Sequence, residues 1–265
     1  MQLITSMNEM LYHEYGKNMI KDFRKYSYGE IKLIVVVEGN PLNEHSDSKV
    51  RFIKFNHSDH ERFIRYFGKL YEANGLKIIQ KSKNNIELAW NYRFNAIRFS
   101  FKIFAVDQVV KELTPTTNFA WIDADIRCLK NFNEKDLEIF FPNADQIMSY
   151  LGRNSFPPGS PYSECGFLGF NGNYKKTYDF IQRMKDIYIT GEIFSFEQWH
   201  DSWIWDIVRK EYENKGERFK NISGKAENLE HPFINCELGN FFDHLKGPTR
   251  KAKGKSDKAD YIKNN

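Results

Sequence analysis

Apolar positions along the chain fall into two kinds of run that take turns. Dense runs, nearly every residue apolar, occupy residues 2–5, 31–37 and 119–122. Runs with helical spacing occupy residues 11–26, 61–74, 88–113, 175–190 and 197–213. The dense runs predict strands buried on both faces, and the periodic runs predict helices that cover them. Residues 50–55, 143–150 and 167–171 add further strands. Turn chemistry punctuates the pattern: Gly39-Asn40-Pro41 ends the second strand, Gly75 stops a helix, Pro115 closes the 88–113 segment, and Pro157-Pro158-Gly159-Ser160-Pro161 reads as a loop. No repeat or linker interrupts the series. The expectation is a single α/β domain over residues 1–256, Rossmann-like, with a mostly parallel sheet that becomes mixed in its later strands, followed by a basic polar tail at 257–265.

Composition narrows this only a little. With 41% hydrophobic and 28% charged residues in a chain of 265, a sizeable core is affordable and general disorder is excluded. The net charge of +4 is too small for a general nucleic-acid binder. Its basic excess gathers near the end, at Lys246, Arg250, Lys251, Lys253, Lys255 and Lys258. Such a segment suits a phosphorylated small molecule or an acidic surface, and a peripheral membrane contact stays open. Cys128, Cys165 and Cys236 are too few and too scattered for a disulfide framework or a zinc knuckle. Reduced thiols, no basic-then-apolar start and no apolar stretch long enough to span a bilayer lead to the expectation of a cytoplasmic protein.

Candidate chemistry concentrates at Asp123-Ala124-Asp125, directly after the dense run 119–122. Two carboxylates two residues apart at a strand end are costly to bury unpaired, and strand ends are where open α/β sheets bind ligands. Asp123 and Asp125 could hold a hard cation, Mg²⁺ or Mn²⁺, which would neutralise a diphosphate leaving group. A solvated turn is the plainer alternative for an isolated D-x-D. In the aromatic-rich run before it, Arg98 and Lys102 stand four apart and share a helix face, which we read as turned toward the site.

The order of elements, with the D-x-D near mid-chain, resembles the GT-A glycosyltransferases. Three further segments carry the resemblance: Tyr162 to Asn171, Glu197 to Trp203, and Phe242-Asp243-His244-Leu245-Lys246-Gly247. It implies a GT-A fold and transfer of a sugar from a nucleotide-diphosphate donor, UDP- or GDP-linked, to a hydroxyl of a carbohydrate, lipid-linked sugar or protein. It also implies roles. Asp123 and Asp125 contact the metal and ribose, with His244 as the third metal ligand. Lys246, Arg250 and Lys255 meet the diphosphate, and Gly247 and Gly254 let their loop fold over it. Thr5 and Ser6 hold the nucleotide, Glu38 meets its base or ribose, and Arg98 and Lys102 approach the donor from the preceding helix. Asp201 is the candidate catalytic base, flanked by Trp199 and Trp203 as sugar-stacking rings, with Glu164 its competitor. A retaining enzyme would need no base at Asp201, so the stereochemistry is open. The sequence departs from the retaining pattern His-x-Gly-x-x-Lys-Pro-Trp, because Leu245-Lys246 precede Gly247 and no Pro-Trp follows.

Other readings remain. A haloacid-dehalogenase phosphatase also uses D-x-D, but on its first strand and with Thr or Val where Arg127 stands here. A sugar nucleotidyltransferase would want a Gly-rich basic loop that Thr5-Ser6-Met7-Asn8 does not supply. A non-catalytic nucleotide-sugar or carbohydrate-binding protein of the same fold is the alternative from another class.

Overall fold

Each of the three dense apolar runs forms a strand, and further strands lie between and beyond them. The strands are β1 (Gln2–Met7), β2 (Lys32–Val37), β3 (Val50–Lys54), β4 (Leu76–Ser82), β5 (Asn85–Trp90), β6 (Phe119–Ile122), β7 (Ile126–Cys128), β8 (Met148–Leu151), β9 (Glu164–Phe170), β10 (Lys220–Asn221) and β11 (Phe242–His244). The computed structural model describes residues 1–265 except 83–84, 113–116, 154–161 and 262–265. Pro115 and the loop at 157–161 therefore lie outside the described residues.

Seven strands form one sheet in the order β10-β8-β9-β6-β1-β2-β3. All pairs are parallel except those of β9, which runs antiparallel to both β6 and β8. This is the mostly parallel, later mixed α/β sheet that the sequence predicts. Side chains alternate across it, as the pleat requires. Ile4, Ile34, Val36, Phe119 and Trp121 enter one core beneath the helices Ala96–Val110, Lys175–Ile189 and Asp201–Glu213. Leu3, Leu33, Val35, Ala120 and Ile122 enter a second core on the other face, shared with Met19, Ile20 and Phe23 of the helix Lys17–Tyr26. No helix among the described residues is long and apolar enough to cross a membrane.

The reversal of β9 is what assembles a site. Running against β6, it delivers its first residues to the end where β6 releases the D-x-D, and Asp123 N donates to Gly166 O at 3.0 Å. A second ladder, β7 with β11, pairs His244 with Ile126 and so carries the imidazole beside Asp125. The returning segment is anchored twice. Ser256 N donates to Asp243 at 2.8 Å, and Arg127 spans from Asp22 (2.5 Å) to Gly254 O (3.1 Å).

Several sequence boundaries shift for identifiable reasons. The predicted helix at 88–113 is a hairpin strand, β5, then a break, then the helix Ala96–Val110. Asn91 and Asn95 make the break: their side chains accept from Arg93 N and Arg98 N, bonds that end one element and start the next. The helix expected at 61–74 starts earlier, as Ser58–Phe67, and a separate 3₁₀ turn at Glu72–Asn74 leads into Gly75, whose φ of 82° suits glycine. The tail is not cleanly separate. Asp257 to Asp260 folds into a capped turn, where Asp260 takes Arg250 Nε at 2.6 Å and its carbonyl takes Asn235 Nδ2 at 2.9 Å.

Candidate metal and diphosphate site

Strand parity decides which polar residues reach the cleft. Ser6, Glu38 and Asp123 continue the rows of Ile4, Val36 and Trp121, so all three emerge on the face covered by the helix Ala96–Val110. They line a cavity of about 380 Å³ with Asn8, Tyr15, Arg98 and Lys102. Thr5 belongs to the opposite row and is fully buried, its Oγ1 without a hydrogen-bond partner among the described residues. The expectation that Thr5 holds a nucleotide is corrected: a one-residue step along a strand turns the side chain to the other face.

A second cavity of about 720 Å³ adjoins the first. Asp123, Asp125, Asp201, Arg98 and Lys251 line both. The D-x-D thus sits at the partition between two chambers, one bounded by Ser6 and Glu38 and the other by Glu164, His244 and Lys246.

The acidic pair is held asymmetrically. Asp123 Oδ1 takes Trp121 Nε1 at 2.6 Å and Lys102 Nζ at 3.0 Å, while Oδ2 lies 3.6 Å from His244 Nε2. Asp125 Oδ2 takes Lys251 Nζ at 2.9 Å, and its Oδ1 lies 3.4 Å from the same His244 Nε2. One oxygen of each carboxylate and the imidazole nitrogen therefore converge, all within 4.8 Å of one another. Burial opposes the charge on Asp125, but His244 and Lys251 outweigh it and hold the carboxyl well below the usual range. The same balance, burial against Asp125 and Glu164, pushes His244 up to about 9. Negative charge is thus concentrated at one point, where Lys102, Lys251 and the His244 imidazole meet it.

Behind His244 stands Glu164. Its Oε1 accepts from His244 Nδ1 at 2.8 Å, fixing the ring so that Nε2 faces the two aspartates. A carboxylate bonded to the far nitrogen of an imidazole commonly orients a metal-bound histidine and raises its basicity. Gly166 makes room: a Cβ there would lie 2.7 Å from His244 Cε1. Glu164 also meets Lys246 Nζ at 3.1 Å and His231 Nδ1 at 3.2 Å. Its oxygens are therefore committed, although Glu164, His231 and His244 also lie close enough to hold a metal. The donor set that faces a cavity, Asp123, Asp125 and His244, fits a divalent cation of the Mn²⁺ or Mg²⁺ type by its oxygen-rich chemistry.

Neither proposed catalytic carboxylate has the profile of a free base. Asp201, at the first turn of its helix, pairs with buried Lys102 at 2.5 Å. Burial would raise its proton affinity, but Lys102 lowers it below the ordinary value. Glu164 is likewise held well below its ordinary value, the pull of Lys246 and the histidines overcoming burial. Glu38 behaves oppositely: burial pushes it up to about 7.

Other expected residues are placed elsewhere. Arg250 is corrected: it lines neither chamber and turns to Asp260 and Lys246 O instead. Trp199 packs edge-on against Phe94 and Phe194, at 5.2 and 5.0 Å between ring centres, so it is a packing residue and not a sugar platform. Lys255 lines neither chamber. Gly247, with φ 78°, opens the short helix Gly247–Lys253 at the edge of the second chamber. Sequence reasoning missed Lys251, which that helix aims at Asp125, and also Tyr15, Trp121, Arg153 and His231. Lys251 lay within the basic run, but only the helical register separates it from its neighbours.

No protein-family model matches the chain, and no curated protein matches it. Solved structures that it resembles include a glycosyltransferase involved in the glycosylation of the major capsid of PBCV-1, 10% identical with TM-score 0.49, over 96% of this chain and 98% of that one. Mouse xyloside xylosyltransferase 1 in its apo form is 9% identical with TM-score 0.45, over 83% and 84% of the two chains. The galactosyltransferase LgtC, in complex with donor and acceptor sugar analogues, is 13% identical with TM-score 0.42, over 75% and 68%. At these scores the likenesses decide nothing about substrate or chemistry.

Proposed function

We propose that this protein is a metal-dependent glycosyltransferase of the GT-A type, taking a sugar from a nucleotide-diphosphate donor to an acceptor hydroxyl. One observation carries the reading: two carboxylate oxygens and one imidazole nitrogen, drawn from β-strand ends far apart in sequence, converge where two chambers meet. Asp123, Asp125 and His244 would hold the cation. When bound, Mn²⁺ or Mg²⁺ neutralises the diphosphate and stabilises its growing charge as a leaving group.

The protein's own residues supply the rest. Ser6 and Glu38 offer hydrogen-bonding groups to the ribose or base of a UDP- or GDP-linked donor in the smaller chamber. Lys251, Lys246 and Arg98 place cationic side chains around the diphosphate. Lys251 now neutralises Asp125 and can pass to a phosphate oxygen without leaving a buried charge unpaired. Lys102 holds Asp123 and Asp201 in place by ion pairs at 3.0 and 2.5 Å. Paired so, Asp201 is a weak base; we assign it to ordering Lys102 and the acceptor hydroxyls, with Glu164 orienting His244.

The test is a panel of UDP-, GDP-, CMP- and dTDP-sugars, titrated with and without Mn²⁺, with binding and slow donor hydrolysis as readouts. Metal-dependent binding of at least one donor is expected. Absence of metal-dependent binding across the panel overturns the reading.

A further inference from the structure

The larger chamber opens onto a belt of rings that no core explains. Trp90, the last residue of β5, is 59% exposed and Tyr92 is 42% exposed. Both line the chamber. Their ring centres are 6.5 Å apart, and the belt continues inward from Tyr92 to His200 at 6.0 Å and from His200 to Tyr162 at 4.6 Å. The Tyr92 and Tyr162 hydroxyls meet at 3.3 Å. His200, in the middle of the belt, directly precedes Asp201, which lines both chambers.

Leaving an indole and a phenol this exposed forgoes the gain of burying large rings, and such a patch beside a cavity marks a binding surface. The chemistry of the wall selects the ligand. Rings supply flat apolar faces, Asp201 supplies hydrogen-bond acceptors, and the tyrosine hydroxyls supply donors. Burial pushes His200 down to about 4, so the imidazole is neutral near pH 7, while two guanidinium groups flank the tyrosine end of the belt: Arg153 lies 5.8 Å from the Tyr162 ring centre, and Arg93 hydrogen-bonds to Tyr92. The belt is therefore an amphipathic surface, apolar at the Trp90 indole and polar at its tyrosine hydroxyls. A pyranose has the matching shape: one face of C–H bonds and an equatorial rim of hydroxyls.

We propose that Trp90 and Tyr92 form the acceptor subsite and that the acceptor is a saccharide, stacked on Trp90 with its reacting end toward Asp201. The inference rests on the glycosyltransferase reading for the word acceptor, but the saccharide site stands on its own geometry. It replaces Trp199 as the stacking surface, and Trp203 lines neither chamber.

The probes are methyl glycosides of glucose, galactose and xylose together with lactose, cellobiose and maltose, followed by saturation-transfer NMR and titration in the presence of UDP and Mn²⁺. At least one saccharide is expected to bind without displacing UDP. Trp90→Ala should weaken it about tenfold, the scale of one lost aromatic contact, with Trp90→Phe retaining most of the affinity. Metal-dependent donor binding in Trp90→Ala should be unchanged. The proposal is overturned if no probe binds, if binding ignores Trp90→Ala, or if Trp90→Ala weakens donor binding equally. Saccharide binding that depends on Trp90 in a protein that binds no nucleotide sugar would leave this subsite standing and remove the donor reading instead.

Discussion

One helix, Ala96–Val110, carries two buried charges that serve different ends. Lys102 and Asp107 are five residues apart, about 140° around the helix, and so enter different surroundings. Asp107 takes His57 Nε2 at 2.7 Å, Lys111 Nζ at 2.7 Å and Lys185 Nζ at 3.0 Å. The carboxylate is enclosed by its partners, and none of Asp107, His57 and Lys185 lines either chamber. Lys102 joins Asp123 and Asp201 beside a second aspartate and a histidine, with oxygens left pointing at one another across open space. Burial of charge is common to both regions and by itself identifies neither. What separates them is access: the first encloses its charges with partners away from both chambers, whereas the second, although Lys102 and Lys251 pair with its aspartates, turns one oxygen of Asp123 and one of Asp125 toward the same imidazole at a chamber wall.

That contrast can be broken most forcefully at Asp107. Asp107→Ala should cost about 3–5 kcal/mol of stability, because three cationic or hydrogen-bonding partners lose their carboxylate in the interior. Urea unfolding measures this, and Mn²⁺ affinity of the folded variant should be unchanged. A loss below about 1 kcal/mol would mean that the network is ornamental. Asp125→Ala is read on the ligand instead: Mn²⁺ and metal-dependent donor binding should fall at least about 100-fold, the upper end of losses seen even for groups that only orient a ligand. Retained affinity would remove Asp125 from the ligand set. Glu164→Gln keeps the shape but weakens the orientation of His244, so Mn²⁺ affinity should drop by about 10–100-fold; an unchanged value would confine Glu164 to packing. The smallest effect is in acid. Burial disfavours the Asp107 carboxylate, yet its bonds from His57, Lys111 and Lys185 hold it well below the ordinary range. Its contribution is therefore full above about pH 4, near the unfolded carboxyl value, and is lost as pH falls through the lower folded value. The stability gap between the wild type and Asp107→Asn should shrink below about pH 4; a constant gap would contradict the assignment.

The parts of the site legible in sequence are those with local periodicity. The dense run at 119–122 announced a strand, and the two aspartates beyond it could only be at its end. Arg98 and Lys102, four apart, share a face because a helix repeats every 3.6 residues. The failures are those of long-range geometry. Thr5 and Ser6 looked equivalent until the pleat sent them to opposite faces. Arg250 and Lys251 looked interchangeable within one basic run, but helical register gave the first to Asp260 and the second to Asp125. The hairpin before the Ala96–Val110 helix was hidden because apolar residues crowd 88–94 densely enough to satisfy either period, and the deciding signals were Asn91 and Asn95, two caps of side-chain length. The pairing of Glu164 with His244 spans 80 residues and depends on β9 running backward, which no local pattern announces.

The central claim is that Asp123, Asp125 and His244 form a divalent-cation site. Electron paramagnetic resonance titration of Mn²⁺ tests it most directly, on the wild type, Asp125→Ala, His244→Ala and Asp107→Asn. The account predicts one site in the wild type, lost in the first two variants and kept in the third. Equal Mn²⁺ binding by all four proteins, or none by the wild type, would contradict it.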